Sequence, residues 1–281
     1  MKIARYTVPS ASISTAQRAA LWLPFLYLLQ TRLHGARLVL GWLAGFVVPV
    51  LALSVAGRSD GVAASVAVTV AFCMLLAVYA AYEVGYLVND VLVTTRETHP
   101  THRLPQAPRM WYAERLGRAA AARFVMGAAV LGCAAAAAGS LRPMVLLGWL
   151  ALWPVFALYN HWRGRVTIVI YLVLNGLRFV VPVWAGAGAD PVLPPWPAWL
   201  LLYAAPNTYI AAWKPRYRLQ WLAQPFASEA QFRFIWHAAV AAVAVVVAVR
   251  SDAAATLHFA AVASWILLVR LVAFTPHRHA A

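Results

Sequence analysis

Long apolar stretches, separated by short basic clusters, run through most of this 281-residue chain. A helix of roughly 20 apolar residues crosses a bilayer core of about 30 Å. Eight stretches reach or approach that length: Ala36–Gly57, Gly61–Val88, Ala113–Ala137, Met144–Tyr159, Val166–Gly186, Pro195–Trp213, Phe232–Val249 and Ala253–Phe274. A ninth, Ala19–Leu29, is too short to span and contains Pro24, so it reads as an interfacial helix, with a ninth span as the alternative. The pattern predicts an all-α fold, a polytopic transmembrane helical bundle. No long polar linker interrupts it. Residues 1–35 are expected to form a cytoplasmic or interfacial segment, 36–274 one transmembrane domain and 275–281 a cytoplasmic tail.

Composition sharpens this picture. Hydrophobic residues make up 63% of the chain, well above a soluble domain, and only 11% are charged. The net charge of +15 raises nucleic acid as a partner. However, the basic residues flank apolar segments instead of forming a domain of their own, which excludes that class. Nineteen of the 23 Lys and Arg residues fall on one side of the predicted spans. Arg58, Arg142 and Arg250 fall on the other, and Arg178 lies inside the fifth span. The positive-inside rule then predicts an integral inner (plasma) membrane protein with both termini cytoplasmic.

The remaining signals are weaker. Cys73 and Cys133 sit inside apolar segments and read as buried thiols. No signal-peptide cleavage pattern is evident. Trp196 and Trp199 read as headgroup anchors, and His102, His161 and His237 as interfacial residues without metal-ligand spacing.

Intramembrane charges cost free energy, so they mark where chemistry belongs. Glu83, Asp90 and Glu97 recur every seven residues, nearly two helical turns, and form one stripe descending to the basic edge. That stripe suits a ladder facing a cavity. Arg178 is too deep for easy snorkelling, and either an ion pair with Glu83 or a ligand phosphate answers its charge.

The string Tyr86-Leu87-Val88-Asn89-Asp90, followed by Glu97, His99-Pro100 and Arg103, resembles the first signature of the UbiA superfamily of intramembrane prenyltransferases. The resemblance is nearest to the decaprenyl-phosphate phosphoribosyltransferase branch. In the family, aspartates stand at the fourth and eighth positions after the Asn; Val93 and Glu97 stand there in this chain. Tyr159 followed by Arg163, and Asn175-Gly176-Leu177-Arg178-Phe179, are similar to later stretches of the same pattern. As isolated features, Tyr159 and Arg163 also read as topology anchors.

The resemblance implies a UbiA-like fold and a transferase acting on a polyprenyl phosphate or diphosphate. It implies Mg²⁺ held by Asp90 and Glu97, with Asn89 beside them as catalytic residues. Arg103, Tyr159, Arg163, Arg178 and Lys214 would bind the substrate phosphate. Partners would be the polyprenyl lipid and membrane lipids, with the isoprenoid tail between helices. The second acidic motif of many aromatic-substrate relatives has no counterpart around Lys214. This favours a phosphorylated-sugar partner over an aromatic or other hydrophobic acceptor. Val93, in place of an acid, leaves a non-catalytic lipid-binding or scaffold protein as a further alternative. No inverted repeat suggests a transporter.

Overall fold

A computed structural model describes residues 13–57, 63–96, 102–162, 164–188, 199–251 and 254–274. Among them the chain is helical, with no strand. Seven helices are long and apolar enough to cross a membrane. These are α3 (Ala36–Ala56), α4 (Ala64–Val93), α5 (Gln106–Ala138), α6 (Pro143–His161), α7 (Val166–Gly186), α9 (Glu229–Arg250) and α10 (Ala254–Phe274). The expected sixth span is described only from Trp199: a π-helical turn, Leu200–Ala204, runs into α8 (Ala205–Ala212).

The N-terminal stretch is two helices, α1 (Thr15–Trp22) and α2 (Leu26–Thr31), instead of one. Ser14 and Gln17 form a capping box at the start of α1, each side chain bonding the other's backbone N–H. Proline lacks an amide donor, so Pro24 cannot continue the ladder, and Phe25 turns the chain with a positive φ of 68°. This hairpin does not stand apart from the bundle. Ala20, Leu21 and Tyr27 are fully buried, packed with Leu87 and Val91 of α4 and with Trp111 and Tyr112 of α5.

Helix α4 is central. Its side chains enter all three apolar clusters: one with α3, α7 and α10, one with α5, α6 and α7, and one with the hairpin. Gly85 permits the closest of these approaches, because a Cβ there would sit 2.1 Å from the Phe156 ring of α6. Asn160 then donates to the Gly85 carbonyl at 3.0 Å.

Several expectations change. Trp199 is buried against Phe179 instead of standing exposed as an anchor, and Trp196 lies outside the described residues. Cys133 is exposed on the outer face of α5 and Cys73 is half-buried; both are free thiols. His237 is buried and bonded to the carbonyls of Arg233 and Leu202, whereas His102 and His161 are exposed.

Candidate functional site

Three π-helical turns, Leu43–Val47 in α3, Asn89–Val93 in α4 and Leu200–Ala204 before α8, carry residues of one polar cluster. Such turns insert a residue into a helix and re-aim its side chains, and they concentrate at functional sites. They contribute Phe46, Asp90 and Tyr203 respectively.

Asp90 is buried, and donors crowd its carboxylate. Tyr27 donates to Oδ2 at 2.8 Å, and Arg32 Nη2 reaches both oxygens at 3.0 and 3.2 Å. Arg103 Nη1 and Asn89 Nδ2 reach Oδ1 at 3.2 and 3.0 Å. Burial and the carboxylate beside it push the Tyr27 phenol well above its ordinary pKa, so it stays a donor.

Glu83 and Asp90 of the acidic stripe therefore face the N-terminal hairpin. Glu83 pairs with Arg123 of α5 at 2.7 Å, with neither side chain exposed, and accepts from the Leu28 amide at 2.7 Å. The alternative pairing of Glu83 with Arg178 is not formed. Glu97 lies outside the described residues, as does Arg163.

Arg178 projects from α7 into a box of phenols. It donates to the hydroxyls of Tyr86 and Tyr203 and to Asn175 Oδ1, and lies over the rings of Tyr82 at 4.8 Å and of Phe46 and Tyr203 at 5.2 Å. Its Nε is buried without a hydrogen-bond partner among the described residues. Tyr86 links the two halves of the cluster: Arg32 stacks over its ring at 4.3 Å while Arg178 holds its hydroxyl.

Nearer the helix ends, Tyr159 accepts from Arg216 at 2.7 Å, and Arg216 also donates to Tyr217 at 2.6 Å. Among the described residues, the partner of Tyr159 thus comes from the loop after α8. Lys214 reaches solvent at the rim of the same region. Burial by the surrounding walls lowers its pKa, helped by the like charges of Arg216, Arg103 and Arg32 and opposed by Tyr171.

No family model, no curated protein and no solved structure matches the chain.

Of the two residues expected to hold Mg²⁺, the described residues include Asp90 and not Glu97. Among them no group of three His, Cys, Asp or Glu side chains is placed to hold a metal ion, and two guanidiniums already occupy Asp90. Among the described residues the surplus charge around Asp90 is positive, which suits an anion. Reading the sequence located Asn89, Asp90, Arg103, Tyr159, Arg178 and Lys214. It missed Tyr27, Arg32 and Arg123, whose basic members read as topology signals, and it gave the phosphate role to Lys214 without its neighbour Arg216. A pointer was available for Arg123, which falls inside the predicted third span much as Arg178 falls inside the fifth.

Proposed function

We propose that the chain is an integral plasma-membrane transferase of the UbiA type that joins a polyprenyl phosphate to a phosphorylated sugar. The observation that carries this reading is Arg178. Its guanidinium is enclosed by phenols in an apolar helix, with no carboxylate partner among the described residues. Such a charge is costly in a membrane unless an anion meets it. Phenol hydroxyls and ring faces ease that cost without cancelling the charge. A phosphate ester cancels it, and arginine binds phosphate through two parallel hydrogen bonds. The Lys and Arg distribution favours a cytoplasmic location for the basic end, where phosphorylated sugars are available.

In the transfer, an anionic oxygen of the polyprenyl phosphate attacks the anomeric carbon of a sugar 1-diphosphate. A new carbon–oxygen bond forms as the bond to diphosphate breaks, and diphosphate departs with the electron pair. The attacking oxygen is already ionised, so no general base is required. Arg178 orients the acceptor phosphate, and Lys214 and Arg216 meet the charge gathering on the leaving group.

The test is incubation of the protein in lipid nanodiscs with radiolabelled polyprenyl phosphate and a pentose 1-diphosphate. A glycosylated lipid is expected. Loss of one preorganised donor costs about 10²–10³ in rate, which is the effect expected for Arg178→Gln. Absence of product from the unaltered protein removes the reading.

A non-catalytic lipid-binding role has one observation in its favour: the Asp90 carboxylate is fully engaged by Tyr27, Arg32, Arg103 and Asn89. Polyprenyl phosphate that co-purifies without any turnover would favour it.

A further inference from the structure

The two arginines on Asp90 reach the surface, whereas the carboxylate does not. Side-chain exposure is 17% for Arg32 and 27% for Arg103, against 1% for Asp90. Both guanidiniums lie within 3.2 Å of Oδ1, so they are brought near one another as well. Among the described residues that single carboxylate balances one of the two cations, and the surplus charge repels its neighbours. Lys214, at the rim, adds a further positive charge, because both arginines are among the cations whose field it feels.

The three side chains come from separate parts of the chain. Arg32 follows α2, Arg103 precedes α5 and Lys214 follows α8. Like charges gathered from three elements repel unless an anion stands among them. Arg32 is preset to meet one. Its guanidinium lies over the Tyr86 ring at 4.3 Å, and its Nε is buried without a hydrogen-bond partner among the described residues.

A carboxylate and a phosphate offer an arginine the same pair of acceptor oxygens. Asp90 thus gives both arginines what a phosphate would give them. It is also able to release them. Tyr27 and Asn89 donate to it at 2.8 and 3.0 Å, so its oxygens keep partners when the guanidiniums turn outwards.

We infer that Arg32, Arg103 and Lys214 form a binding site for a soluble diphosphate group, with Asp90 as its internal competitor. A diphosphate carries enough charge to balance all three cations, which one carboxylate does not. The rim position of the three side chains favours a water-borne ligand over a lipid-borne one. The choice of ligand rests on the transferase reading, in which diphosphate is the group that leaves.

The experiment is isothermal titration of inorganic diphosphate into the full chain in lipid nanodiscs, in buffer containing EDTA. Asp90→Asn removes the competing charge while keeping the shape of the side chain and an acceptor for Tyr27. It should bind diphosphate about tenfold more tightly than the parent, because the share of protein with free arginines rises. Arg32→Gln and Arg103→Gln should each bind about tenfold more weakly, the loss expected for a charge-assisted hydrogen bond. Tyr27→Phe leaves Asp90 more dependent on its arginines, and should bind several-fold more weakly without touching the ligand. That variant decides the matter if Asp90→Asn aggregates. Arg250→Gln, at the exposed far end of α9, should bind as the parent does. Unchanged or weaker binding by Asp90→Asn, parent-like binding by Arg32→Gln or Tyr27→Phe, or a preference for geranyl diphosphate over inorganic diphosphate would each overturn the inference. The titration reads no turnover, so failure to form a glycosylated lipid leaves its result standing.

Discussion

Glu83 of α4 and Arg123 of α5 meet at 2.7 Å, forty residues apart in the chain, with both side chains wholly buried. The pair also fastens the N-terminal hairpin. Arg123 donates to the carbonyls of Ala20, Leu21 and Leu23 at 2.7, 3.0 and 3.1 Å, while Glu83 accepts from Leu28. The carbonyls that Pro24 and the chain reversal leave without helical partners are thereby satisfied. Breaking a buried pair from one side costs about 3–5 kcal/mol, because the other charge is left uncompensated. Arg123→Met should therefore lower the melting temperature in detergent sharply. Arg123→Met/Glu83→Gln should recover part of the loss, and an equal loss in both variants would show that the charges are not coupled.

Tyr27 and Asp90 form the second attachment of the hairpin, at 2.8 Å. A hydrogen bond to a charged group contributes about 1.5–3 kcal/mol. Tyr27→Phe removes it while keeping the ring packed against Tyr112. Hydrogen exchange measured by mass spectrometry should show faster exchange across 15–31 in this variant. Exchange in α9 and α10, which lie outside that contact, should be unchanged.

Gly85 provides a test of packing that is independent of charge. An added methyl would meet the Phe156 ring far inside contact distance. Overpacking a tight core costs about 1–3 kcal/mol. Gly85→Ala should melt earlier than the parent, and adding Phe156→Leu should restore most of the difference by making room. If Gly85→Ala melts like the parent, α4 and α6 are not so closely apposed.

Hydropathy made the long helices legible, since α3, α4, α7, α9 and α10 each fill a predicted apolar window. The end of α4 as a polar site was legible too, because Asn89 and Asp90 interrupt an apolar run. Partnerships were not. Seven-residue spacing puts Glu83 and Asp90 on one face, but says nothing of which helix covers that face. The cover turned out to be a hairpin that the pattern had assigned to the interface. Arg32 and Arg123 were absorbed into the count of flanking positive charges, because charge asymmetry has the same appearance whether an arginine meets water or a buried carboxylate. Arg178 was singled out by its depth and by the resemblance of the stretch Asn175–Phe179, and neither distinguished an acid partner from a box of tyrosines.

Lys214 gives the site a pH dependence. Its pKa in the folded protein lies below the ordinary 10.5, through burial and the like charges of Arg216, Arg103 and Arg32. The folded chain thus binds fewer protons than the unfolded chain between that depressed value and 10.5. Stability from this group rises with pH through that window. The proposed anion binding moves the other way, because it would draw on the ammonium form. Affinity for a phosphate-bearing lipid should therefore fall on the alkaline side, beginning below the usual lysine range. Lys214→Arg keeps its proton throughout and should flatten that fall. Lys214→Gln should bind more weakly at neutral pH and show the same flat profile. Isothermal titration of a short-chain polyprenyl phosphate into the detergent-solubilised protein, repeated across the alkaline range, separates these cases. A fall that persists unchanged in Lys214→Arg would assign the titration to another group.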